Sequence, residues 1–175
     1  MSNVKKEIVM KHTLLVKVAL CAAIMLTSIG ANALGKDFKK LAKIEGVEHV
    51  HIGKFLLNLA AKNGESVNFG DNIVIGDKSG NILKKIDTID VYTSEEKKTT
   101  EQLSQQVQSI LNGNDWEPLI NMTDENGEKV KIYQSQHGKQ TTVIIFEEEE
   151  SEASLVVIDG KLDMAQLMEQ MSKED

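Results

Sequence analysis

The sequence contains no arginine; all twenty basic residues are lysine. Bidentate readout of guanine or of a phosphate depends largely on arginine. A net charge of −7 also repels a phosphate backbone. Both features argue against a nucleic acid as partner. Cysteine occurs once, as Cys21 in an apolar N-terminal stretch. The rest of the chain therefore has no disulfide framework, no cysteine zinc site and no thiol catalyst. Aromatics make up only 4%, so Tyr92, Trp116 and Tyr133 stand isolated. They could floor a carbohydrate or peptide site, but read first as core edges. What is present, 41% hydrophobic and 27% charged residues over 175 positions, suits one ordinary globular domain.

Residues 1–33 read as a signal peptide. Lys5, Lys6, Lys11 and Lys17 precede an uncharged run from Val18 to Ile29, and Ala31-Asn32-Ala33 supplies a small-x-small cleavage site. The run is 12 residues long, short of the roughly 20 that a spanning helix needs. Translation from either Met1 or Met10 fits. Cys21 lies mid-run after Leu20, a poor position for acylation, and reads as filler. Cleavage after Ala33 leaves 142 residues and moves the net charge from −7 to −10. No membrane span is then expected to remain, and an anionic membrane surface is a partner only if the fold builds a specific basic patch.

Residues 34–175 read as a single α+β domain: a mainly antiparallel sheet ending in a four-strand meander, with helices packed on one face. Phe38, Leu41 and Ala42 predict a short helix. Val47 to Ile52 is strand-like. Gly53-Lys54 opens a helix whose buried stripe is expected to be Phe55, Leu56, Leu59 and Ala60, with Gly64 as its cap. Residues 65–81 are glycine-rich and read as a mobile loop with a short edge strand at Ile73-Val74-Ile75. A strand follows from Ile86 to Tyr92, and Thr93 with Glu96 forms a capping box. The next helix places Leu103, Val107, Ile110 and Leu111 on one stripe. Meander strands are expected near 117–123, 129–135, 140–147 and 153–159, with Asn126-Gly127 as the clearest hairpin turn. Val143–Phe146 and Leu155–Ile158 are apolar at every position, which predicts central strands covered on both sides. Leu162, Met164, Leu167, Met168 and Met171 mark a final amphipathic helix lying across the sheet.

Four segments in order carry a resemblance. They are Gly46–Lys54 (GVEHVHIGK), Leu83–Val91 (LKKIDTIDV), Asp124–Tyr133 (DENGEKVKIY) and the strand leading to Gly160-Lys161-Leu162-Asp163. Together the chain resembles the DUF4252 family over nearly all of residues 36–171. The resemblance implies an exported protein of Gram-negative bacteria with no assigned activity, and so offers no catalytic residues to carry over.

Candidate chemistry is sparse. His49 and His51 share one face of a strand, since side chains alternate with period two. With His137 or a carboxylate as third ligand they could hold zinc. An alternating, half-exposed strand explains the pair without a metal, and that reading is preferred. Glu147, Glu148, Glu149, Glu150 and Glu152 could collect calcium, but read better as a hairpin tip kept from pairing by charge. The 122–133 loop fails as an EF-hand because Met122 and Tyr133 fall where carboxylates are required. Ser79 in Gly76–Gly80 lacks the spacing of a nucleophile elbow, and the same segment lacks that of a phosphate loop. No catalytic residue and no cofactor are assigned.

The preferred reading is an exported, non-enzymatic accessory or binding module of the periplasm or cell envelope, with another envelope protein as partner. Two alternatives stay open: a periplasmic hydrolase or metal-dependent enzyme with a site assembled from distant segments, and an envelope-stress regulatory component.

Overall fold

The computed structural model describes residues 35–69, 73–76, 81–113, 116–125 and 127–163. Residues 1–33, read above as a signal peptide, together with Ser79, Asn126 and the stripe residues Met164, Leu167, Met168 and Met171, lie outside them.

The described chain opens with a short helix, α1 (Gly35–Phe38), and a 3-10 turn (Leu41–Lys43). Strand β1 (Glu48–Gly53) runs without a linker into α2 (Lys54–Asn63), which Gly64 closes at φ +68°. Two short strands, β2 (Val67–Phe69) and β3 (Ile73–Ile75), pair with each other inside the expected loop, and Ile75 is buried. Helix α3 (Asn81–Lys85) leads directly into β4 (Ile86–Ser94), then α4 (Lys97–Gly113). The meander follows as β5 (Glu117–Thr123), β6 (Lys129–His137), β7 (Gln140–Glu148) and β8 (Ala153–Gly160).

Six strands form one antiparallel sheet in the order β1-β4-β8-β7-β6-β5. The order follows from the apolar runs. β7 and β8, apolar on both faces, occupy the middle, while the half-polar β1 and β5 take the edges. Gly127 sits at φ +87° in the β5–β6 turn, a conformation glycine adopts without a Cβ clash. The turn is closed by the Asp124 carboxylate, which accepts from the Glu128 amide at 2.9 Å.

Helices cover both faces of this sheet, which corrects the expectation of one helical face. On the first face α2 and α3 place Leu57, Ala61, Ile82 and Leu83 against Ile89, Ile132, Val143, Ile145, Val156 and Ile158. On the second face α4 places Leu103, Val107 and Leu111 against Tyr92, Ile144, Phe146, Leu155 and Val157, and Phe38 and Leu41 close that core at one end. The cause is the period of two: β7 and β8 are apolar at every position from Val143 to Phe146 and from Leu155 to Ile158, so successive side chains make both faces apolar and each face needs its own cover. Burying one Leu or Phe side chain contributes roughly 1.5–3 kcal/mol, so an uncovered face would be heavily destabilised.

Helix α2 departs from the sequence reading in a way that matters below. Its buried residues are Leu57 and Ala61, whereas Phe55, Leu56 and Leu59 are exposed at 79%, 41% and 48%. Ala60 alone of the expected stripe touches the core. Residues 55–61 are apolar except for Asn58, so the helix offers two stripes. Its phase is set instead by the direct continuation of β1 at Gly53 and by the close approach that Ala61 permits.

Candidate functional site

Two regions bring together residues with chemical potential. The first joins β1 to β4. His51 stands opposite Asp90 and His49 opposite Tyr92 in the antiparallel register. His49 Nε2 donates to Asp90 Oδ1 at 2.8 Å, and His51 Nδ1 donates to the same oxygen at 2.9 Å. The His49 ring also stacks on Tyr92, with centroids 4.4 Å apart and planes 8° from parallel. Tyr92 is fully buried beneath it.

The electrostatics follow from that geometry. Burial works to raise the Asp90 pKa, but the hydrogen bonds from His49 and His51, helped by the charges of the two rings, hold it at about 2. The hydrogen bond to Asp90 raises the His51 pKa, and the carboxylate charge adds to it, while burial and Lys39 oppose. Burial pushes the Tyr92 phenol well up, and the charges of Asp90 and Asp159 push it further. On the neighbouring β8, buried Asp159 accepts a 2.5 Å hydrogen bond from the Thr142 hydroxyl. Its pKa is raised first by burial and then by the charges of Asp90 and Asp87.

His137 does not join this cluster. It sits on β6, four strand spacings from β1, roughly 19 Å away. There its Nε2 contacts the Ser135 hydroxyl at 3.3 Å. In the hydrogen-bonded pair both N–H groups of His49 and His51 are directed at one carboxylate oxygen. Among the described residues no group of three or more His, Cys, Asp or Glu side chains is arranged to hold a metal ion. Asp90, the residue that unites the pair, had no local signal, since it lies 39 positions from His51.

The glutamates at 147–152 occupy the β7–β8 hairpin tip, which the Glu149 amide closes onto the Glu152 carbonyl at 2.8 Å. Glu148 and Glu150 are tied to neighbouring elements. Lys97 pairs with Glu150 at 3.0 Å, Lys129 with Glu148 at 3.6 Å, and the Ser104 hydroxyl donates to Glu148 at 2.6 Å. The three aromatics that could floor a site are used in packing instead. Trp116 meets Phe38 edge-on at 5.9 Å, and Trp116 and Tyr133 pack against the same core as Tyr92.

The second region is the outward side of α2 and α3. Phe55 and Leu59 are four residues apart and Lys62 three further on, so all three project from one side of the helix. Leu56 flanks them. Neither α2 (KFLLNLAAKN) nor α3 (NILKK) contains an acidic residue, and together they carry Lys54, Lys62, Lys84 and Lys85. The two helices pack against each other. Among the described residues, acidic groups near their border include Asp87, which pairs with Lys54, and the exposed Glu65 and Asp163. Lys161 also acts on Asp87, and its amide donates to the Lys85 carbonyl at 2.8 Å, which brings a further lysine to this side. Counting charge helix by helix would have revealed this basic segment; the expected burial of Phe55, Leu56 and Leu59 concealed the apolar part.

Among the described residues no helix is long and apolar enough to cross a membrane. A family model described as a domain of unknown function, DUF4252, matches residues 38–170. No curated protein and no solved structure matches the chain.

Proposed function

Since the chain belongs to the DUF4252 family, whose description carries no activity, we propose its function from its own geometry: an exported, non-enzymatic accessory module of the Gram-negative cell envelope that docks through the outward side of α2. One observation carries the reading. Phe55, Leu56 and Leu59, three large apolar side chains on adjacent turns, are 79%, 41% and 48% exposed. Single exposed apolar residues are ordinary, but a contiguous group marks an interaction surface. Export is supported by Lys5, Lys6, Lys11 and Lys17 ahead of an apolar run and the Ala31-Asn32-Ala33 site. The alternative of an enzyme is supported less well by the His49–Asp90–His51 cluster. Both N–H donors there satisfy a carboxylate, and one ring is stacked on a buried tyrosine, a use that holds the β1 edge in register.

Envelope fractionation tests the reading. Wild-type chain is expected to stay with washed envelopes, and the triple variant Phe55→Ser, Leu56→Ser, Leu59→Ser to be released in soluble form with unchanged thermal unfolding. Equal retention of both chains would contradict it.

A further inference from the structure

We propose that the α2–α3 side of the molecule is a membrane-surface docking element, with Phe55, Leu56 and Leu59 entering the acyl boundary of a leaflet and lysines of both helices meeting anionic headgroups. The proposal rests on the docking reading above and names its partner. Phe55 is the most exposed large apolar residue among those described, and it stands on the outer side of a helix, not in a groove. Protruding apolar side chains flanked by lysines are the composition of helices that lie in a bilayer interface. Lysine suits this role, because its long stem lies along apolar surface while the ammonium reaches a phosphate without a required geometry.

Charge selects the occupant. The whole chain is acidic, at −7, yet α2 and α3 contain four lysines and no Asp or Glu. Lys62 and Lys84 are exposed; Lys54 is engaged by Asp87. A second copy of the chain would set lysines against lysines if the same patches met. An anionic surface does the opposite, and repulsion from the distant acidic tip at 147–152 is screened over roughly 8–10 Å.

The test uses the exported chain from Leu34, with Phe55→Trp as a local probe and wild-type Trp116 as the internal reference. Vesicles of phosphatidylcholine alone, or with phosphatidylglycerol, carry brominated acyl chains that quench only tryptophans close to them. The proposal expects quenching of the Phe55→Trp probe on phosphatidylglycerol vesicles, beyond any change at Trp116. It also expects that Lys62→Glu with Lys84→Glu lowers the vesicle partition coefficient about tenfold or more, and that added salt has the same direction of effect. An unquenched probe overturns the lipid proposal. If the triple serine variant is nevertheless released from envelopes, the docking reading stands with a protein as partner. If it is retained as well, both fall.

Discussion

His51 and Asp90 face each other across the β1–β4 pair, and a 2.9 Å hydrogen bond joins the His51 Nδ1–H to a carboxylate oxygen that also accepts from His49. The Asp90 pKa falls from 3.8 to about 2, and that of His51 rises from 6.5. A depressed carboxylate stabilises the fold above its unfolded pKa, and the benefit is lost as pH falls through its folded pKa. A raised histidine stabilises below its unfolded pKa, and the benefit is lost as pH rises through the folded value. The pair therefore stabilises most between 3.8 and 6.5. Asp90→Asn is expected to flatten both limbs and to cost up to about 2 kcal/mol within that window. Urea unfolding of both chains from about pH 3 to pH 8 measures it. Parallel pH profiles would contradict the coupling.

The phase of α2 makes a sharp prediction about two neighbouring leucines. Leu57 is fully buried and Leu59 is 48% exposed. Leu57→Ala is expected to cost about 2–5 kcal/mol, and Leu59→Ser to stay within about 0.5 kcal/mol. Urea midpoints at constant slope decide it. The reverse order would restore the stripe expected from the sequence.

Gly160 ends β8 against the start of β4. A Cβ there would overlap the Lys85 carbonyl and come within 2.8 Å of Ile86 Cα. Both neighbours are backbone, so neither can rotate away. Gly160→Ala is expected to destabilise by about 1–3 kcal/mol. A thermal scan showing wild-type behaviour would mean that the β4–β8 junction is looser than described.

Processing is checked by intact mass. The exported chain is expected to begin at Leu34, after the Ala31-Asn32-Ala33 site. A mass retaining residues 18–33, or a diacylglycerol adduct on Cys21, would contradict cleavage after Ala33.

The sequence made the middle of the fold legible because its signals there are unambiguous. Val143–Phe146 and Leu155–Ile158 are apolar at every position, and they are the central strands of the sheet. Leu103, Val107 and Leu111 recur at helical spacing and are buried on α4. Gly64 and Gly127 take the positive φ that the cap and the hairpin require. Legibility ended where two patterns competed or one was too short. Helix α2 carries an apolar stripe on each side, and only the β1 junction and packing choose between them. Helix α3 has five residues, too few for a period to show. His49 and His51 were visible as a pair because strand alternation is local. Their partner Asp90 was not, because register between β1 and β4 is a property of the fold.

The central claim is that the outward side of α2 meets a partner, and a photo-crosslinking amino acid placed at position 55 in intact cells tests it most directly. Gln105, exposed on α4 against the opposite face of the sheet, is the control position. The account predicts adducts from position 55 and none from position 105, with the adducts lost when Leu56 and Leu59 are both changed to serine. Equal adduct yields from the two positions would contradict it.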